Sequence, residues 1–267
     1  MKNNHNRIGI FDSGLGGLTV LKQLQKKMPN ENFVYFGDTA HVPYGNKSVD
    51  TIVKHSTKII KFLISKKVKL IIVACNTVSS TALPLIKSIT KIPIIDVITP
   101  AINDIENLKN IKNIGVIGTE ATIQSKEYQK RIQNINDKIN VYSKACPLFV
   151  PIIEEGLFNH AIAKLSTEMY LKNIKNKIDA LILGCTHYPI MIQTIKNSIN
   201  KNIHIIDSSL ATANYVKKYM FQNKMLNASN SPPTPNAFYV SDKVARFNEI
   251  SNLFLEKKIK NIQKIKI

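Results

Sequence analysis

The segments Leu70-Ile71-Ile72-Val73-Ala74-Cys75-Asn76-Thr77 and Ala180-Leu181-Ile182-Leu183-Gly184-Cys185-Thr186-His187 mirror each other. Each is a short apolar run of the kind that forms a buried strand, stopping at a cysteine and continuing into small polar groups. Outward from this pair, β-rich runs alternate with longer amphipathic stretches along the chain. One series of strands is expected at Ile8–Phe11, Phe33–Phe36, Leu70–Ala74 and Ile94–Val97. A second is expected at Ile114–Ile117, Val141–Ser143, Leu181–Leu183 and Ile203–Ile206. Helical spacing covers Leu18–Lys27, Val49–Lys66, Lys126–Gln133, Ala161–Lys175 and Ile190–Ile199. This alternation predicts an α/β fold, with parallel-rich sheets covered by helices on both faces and ligands at the carboxyl ends of strands.

Both series hold a strand that ends in a small polar turn, Asp12-Ser13-Gly14 in one and Gly118-Thr119 in the other. Both later hold the cysteine-ended strand, so they read as two similar doubly wound halves parted near Thr99-Pro100. Beyond them, Asp207-Ser208-Ser209 opens a helix over Leu210–Met220, and Asn227–Pro235 has the composition of a surface loop. A strand is expected at Phe238–Asp242, a closing helix over Val244–Lys257, and a basic, frayed tail over 258–267.

A chain of 267 residues with 44% hydrophobic content can bury one large core or two small ones. No apolar stretch approaches the length of a membrane span. Residues 1–7 are polar and Ile8-Gly9-Ile10-Phe11 follows at once, so no secretory signal and a cytoplasmic location are expected. Three cysteines do not make a disulfide framework and are expected to be reduced. The formal net charge of +19 raises nucleic acid as a partner. The excess is mostly lysine scattered among Asn and Ile, with no aromatics interleaved to stack bases. No specific nucleic-acid partner is expected, only adhesion at low salt.

A cysteine at a strand end just before a helix lies near unpaired N–H groups, which favour the thiolate. The same N–H groups, with the side chains of Asn76, Thr77 and Thr186, can hold a carboxylate. One such cysteine would read as packing, but two in matched contexts read as chemistry: one thiol on either side of a small substrate, each able to give or take a proton. Cys146 lacks that context and reads as structural. Cys185, His187 and Cys75 also suggest a metal site, but the spacing of zinc modules is missing and no metal is expected. Asp12-Ser13-Gly14-Leu15-Gly16-Gly17 is neither a dinucleotide fingerprint nor a phosphate loop, and Asp12 and Ser13 read as helix caps compatible with catalysis. Pro43-Tyr44-Gly45, in a polar and rigid connector, offers Tyr44 and backbone amides to a ligand. Spacing does not choose between Glu154 and Glu155, and His55 and His160 read as solvated helix positions.

Read together, the segments resemble the glutamate racemases of the aspartate/glutamate racemase superfamily. The resemblance runs in order through Gly9–Gly17, Phe36-Gly37-Asp38, Pro43-Tyr44-Gly45, Ala74-Cys75-Asn76-Thr77, Gly118-Thr119 to Thr122, Cys146–Pro151, Gly184–Pro189 and Phe238–Leu255. It implies interconversion of L- and D-glutamate without a cofactor, supplying D-glutamate for peptidoglycan; aspartate racemase is the alternative. It also implies two α/β domains with the active site between them, 1–98 completed by 207–267 and 99–206. Cys75 and Cys185 would be the acid/base residues, Cys75 acting on D-glutamate and Cys185 on L-glutamate. Asp12 would assist Cys75, and His187, with Glu154 nearby, would assist Cys185. Asp12, Ser13, Pro43, Tyr44, Gly45, Asn76, Thr77, Thr119, Thr122, Thr186 and His187 would bind substrate. Ala121 departs from the glycine common in the family, which bears on local loop shape. The expected partner is the small-molecule substrate glutamate, with no membrane; a homodimer is left open.

Overall fold

The computed structural model describes residues 6–227, 235–256, 258–259 and 261–267. The first sheet begins with β1 (Ile8–Asp12), β2 (Phe33–Gly37), β3 (Leu70–Val73) and β4 (Ile94–Asp96). The second contains β5 (Asn113–Gly118), β6 (Asn140–Ala145), β7 (Ala180–Gly184) and β8 (His204–Asp207). The chain then returns to the first sheet with β9 (Ala237–Val240) and β10 (Ile262–Lys264). The strand orders are β10-β9-β2-β1-β3-β4 and β6-β5-β7-β8. All the pairings are parallel. Helices cover the faces, so β1, β3 and β7 are buried along their whole length and read as unbroken apolar runs.

Register places the site. Phe11 pairs with Val73, so Asp12 and Cys75 leave the first sheet at neighbouring strand ends. Gly118 pairs with Gly184, so Thr119 and Cys185 leave the second sheet in the same way. One hydrophobic core joins the two sheets. It contains Ile10 and Ile72 from the first, Leu181 and Leu183 from the second, and Leu21, Val216 and Phe254 from the helices Leu18–Lys27, Ser208–Gln222 and Val244–Leu255 between them. Burying this much apolar side-chain surface holds the two sheets in one orientation. No helix among the described residues is long and apolar enough to cross a membrane.

The two parallel sheets agree with the expected architecture, and several element ends differ. The helix expected over Ile190–Ile199 splits into a 3-10 turn at Tyr188–Met191, with Pro189 in its first turn, and a helix at Ile192–Ser198. The helix expected over Ala161–Lys175 ends at Leu171. Short helices at Asn76–Thr81, Glu120–Gln124 and Phe149–Glu154 carry too little periodicity to be read from sequence. Ala121 lies inside the second of these, where alanine is favoured. Residues 228–234 of the expected surface loop, and Lys257 of the closing helix, lie outside the described residues.

The tail is corrected outright. Ile262–Lys264 is an edge strand paired with β9, and Ile265 and Ile267 pack on the core behind the first sheet. Its basic composition suits an exposed edge, where lysine discourages further pairing, and so conceals the strand. Ending the chain at Ile259 should therefore destabilise the protein by about 2 kcal/mol, the scale of two partly buried isoleucines. Urea denaturation reads this directly; an unchanged midpoint would restore the frayed-tail reading.

Candidate active site

The strand ends of both sheets open into one cavity of about 410 Å³, lined by Cys75 and Cys185 together. Ser13, Pro43, Tyr44, Gly45, Asn76, Thr77, Thr119, Glu154, Thr186 and His187 also line it. Two of the expected residues stand behind the wall. Asp12 is buried beneath the loop that follows β1, and Thr122 sits behind Thr119.

On the first side, Cys75 caps the helix Asn76–Thr81 in an extended conformation, and its Sγ lies 3.3 Å from Ser13 Oγ. The expected lowering of its pKa by the helix end does not hold. Burial and the charge of Asp12 outweigh the help of Ser13 and the Val78 N–H, and push the thiol up to about 12. Asp12 does not cap a helix either; its Oδ2 accepts from Gly14 N at 2.8 Å, while its Oδ1 is buried without a partner. Burial raises the Asp12 carboxyl above its ordinary range, against the opposing pull of His187 and the Gly14 and Gly17 N–H groups. Asn76 shows the complementary orphan. Its Oδ1 accepts from the Tyr128 hydroxyl at 2.6 Å, and its Nδ2 is a buried donor without a partner. A buried unmet acceptor and a buried unmet donor beside the cavity are costly, and such groups call for a ligand.

On the second side, Cys185 Sγ lies 3.8 Å from His187 Nδ1, and His187 Nε2 lies 2.9 Å from Glu154 Oε1. Burial alone would lower the histidine pKa, but the hydrogen bonds and charges of Cys185 and Glu154 overcome it and raise His187 to about 10. Burial would raise Glu154, yet His187, Arg246 and Lys243 hold it below the ordinary carboxylate range. The histidine therefore favours its charged form between a thiol and a carboxylate. Geometry also separates the two glutamates: Glu155 turns outward to Arg246 at 2.7 Å, and only Glu154 reaches His187.

The sides are tied together by hydroxyls. Thr77 Oγ1 lies 2.9 Å from Thr119 Oγ1, which lies 2.9 Å from Thr122 Oγ1. Thr19 donates to the Thr186 carbonyl at 2.8 Å. Tyr44 donates to Asp38 Oδ2 at 2.5 Å, which fixes its ring in the cavity wall. Cys146 is buried in the wall with its Sγ 3.7 Å from the Lys144 carbonyl. Of the two histidines expected to be solvated, His160 is exposed and His55 is not. His55 is half-buried against His41, while His160 caps the helix Ala161–Leu171. Sequence reasoning missed Tyr128, Thr19 and Arg246, because a lone tyrosine, threonine or arginine on a helix face carries no distinguishing pattern.

Residues 17–216 match the family model Asp/Glu/Hydantoin racemase. A glutamate racemase from Geobacter metallireducens is 40% identical over 261 residues, 97% of this chain and 96% of that protein. The crystal structure of glutamate racemase from Francisella tularensis in complex with D-glutamate is 42% identical, with a TM-score of 0.91 over 98% of both chains. A glutamate racemase isoform from Bacillus anthracis is 31% identical, with a TM-score of 0.94 over 99% of both chains. Paired thiols at the ends of matched strands, in a fold shared along nearly the whole chain, therefore place this protein: it belongs to the Asp/Glu/Hydantoin racemase family and is an amino-acid racemase.

Proposed function

We propose that the enzyme interconverts L- and D-glutamate through a two-base mechanism in which Cys75 and Cys185 act from opposite faces of Cα. The observation that carries this reading is that two thiols, each from a different sheet, line a single small cavity. Glutamate is favoured as substrate by relatives of that name along nearly the whole chain. The proposed domains are 1–98 completed by 207–267 and 99–206, a division that the membership of strands in two separate sheets supports. The domain, compartment and peptidoglycan assignments rest on the resemblance, and a cytoplasmic enzyme supplying D-glutamate for the cell wall is the role it implies.

The α-hydrogen of an amino acid is very weakly acidic, so the site must combine a thiolate with stabilisation of the negative charge that develops. Cys75 takes the proton from D-glutamate while Cys185 delivers one to the other face; in the L-to-D direction the roles reverse. Substrate carboxylate is met by the Asn76 amide and the Thr77, Thr119 and Thr186 hydroxyls. Asp12, behind the wall with its Oδ1 unpartnered, draws the substrate ammonium to this side by its charge. That positive charge, arriving near Cys75, opposes the Asp12 repulsion that adds to burial in raising the thiol. On the other side the imidazolium of His187 stabilises the Cys185 thiolate and relays its proton, with Glu154 fixing the ring. The side chains thus supply base, acid and charge stabilisation between them.

Circular dichroism of glutamate and of aspartate, each followed over time with the purified enzyme, tests the substrate. Glutamate should lose its signal and aspartate should not; the reverse would make it an aspartate racemase. Cys75→Ala and Cys185→Ala should each abolish racemisation in both directions, and near-normal turnover by either variant would remove the two-thiol mechanism.

His187 has its pKa raised in the fold, so its contribution to stability is complete below about 6.5, the ordinary imidazole value, and is lost as pH rises through about 10. The basic limb of kcat/KM for L-glutamate should follow the same group. Glu154→Gln removes a charge that raises His187, so this limb should move to lower pH, with kcat falling more than KM changes. An unmoved limb would show that Glu154 does not tune the histidine.

A further inference from the structure

Behind the cavity wall, Asp38, His41 and His55 each present a metal-ligating atom, and the three atoms lie within 4.8 Å of one another. Asp38 is fully buried just after β2 and is the hub of the group. Its Oδ1 accepts from Ser241 Oγ at 2.6 Å and faces His41 Nδ1 at 2.8 Å, while its Oδ2 accepts from the Tyr44 hydroxyl. His55 reaches the group from the helix Val49–Ser65, and its ring packs on His41 with centroids 3.8 Å apart. The Nδ1 of His55 is buried and has no hydrogen-bond partner, an expense that packing of the apolar face of its helix does not explain. Neither imidazole lines the cavity, and the proposed racemisation uses neither.

We propose that Asp38, His41 and His55 form a binding site for a divalent transition metal of the nickel or zinc class. Two imidazoles and one carboxylate are a donor set those ions favour, and three protein ligands leave a position for water. The His41 side chain is 34% exposed, which gives the ion a way in. Ligand atoms around a tetrahedral zinc lie about 3.3 Å apart, from metal–nitrogen distances of about 2.0–2.1 Å. The group must therefore draw together by rotation of the two half-buried histidine rings, His41 exchanging its hydrogen bond to Asp38 for the metal while Asp38 stays fixed. Lys54 and Lys58 stand near the His55 ring and act against a cation, so occupancy is reversible rather than permanent. A bound ion would draw on the Asp38 carboxylate that holds Tyr44 in the wall of the cavity. Metal would thus slow the enzyme through Tyr44, a consequence that rests on the proposed role of Tyr44 in binding substrate.

Calorimetric titration of Ni²⁺ into chelator-washed protein carrying Cys75→Ser and Cys185→Ser reads this site without competition from the catalytic thiols. One equivalent should bind, and adding either His55→Gln or His41→Gln should weaken binding about tenfold or more. Each histidine variant is compared only after its thermal melt matches that of its parent, and having two guards against one failing to fold. Absence of binding to the double-serine protein, or undiminished binding in both histidine variants, would overturn the site. This readout involves no turnover and so is independent of the glutamate assignment. In the wild-type enzyme Ni²⁺ should slow racemisation, and His55→Gln should relieve the slowing; equal inhibition of both would break the link to Tyr44.

Discussion

The two halves of the molecule touch at a point where no side chain can stand. A Cβ at Gly16 would lie 2.4 Å from Thr186 Oγ1 and 2.5 Å from His187 Nδ1. The loop after β1 must therefore remain bare backbone for the polar residues after β7 to enter it. A Cβ at Gly45 would lie 2.8 Å from Thr119 Cβ, so the far rim of the cavity is under the same constraint. Close approach of backbone from one sheet to side chains of the other is what brings two thiols, 110 residues apart in the chain, to one small cavity. Thr19 reinforces the contact, since its hydroxyl reaches both the Gly16 and the Thr186 carbonyls.

Within that frame the two thiols live in different electrostatic settings. At Cys75 desolvation wins, and the nearby Asp12 carboxylate adds to it, so the neutral thiol is favoured. At Cys185 the neighbour is a histidine that burial alone would discharge but that Glu154 keeps charged. One side sets a thiol beside a buried carboxylate, the other sets a thiol beside an imidazolium. The mirrored sequence motifs thus end in unlike environments, which suits the proposal that the two bases serve opposite enantiomers.

Much of this was legible in the chain. Buried parallel strands betray themselves as unbroken apolar runs, so β1, β3, β5 and β7 and the residues at their carboxyl ends could be read directly. The helix-end argument for a thiolate at Cys75 failed because burial, invisible in sequence, exceeds a few backbone N–H groups. Glu154 and Glu155 are adjacent at a helix end, and only the position of His187 separates them. Tyr128 orients the Asn76 amide from the opposite half, a contact across 52 residues that no local pattern announces. The edge strand at Ile262–Lys264 was hidden by its lysines, and His55 by a helical position that looked solvated.

The central claim is that opposite faces of the substrate are served by different thiols. Racemisation of L-glutamate in heavy water, stopped within the first turnovers and read by mass spectrometry, tests it most directly. Two bases predict that the D-glutamate formed carries solvent deuterium at Cα from the start, while the remaining L-glutamate stays unlabelled. D-glutamate that retains the original hydrogen would mean that one base removes and returns the same proton, and would contradict the account.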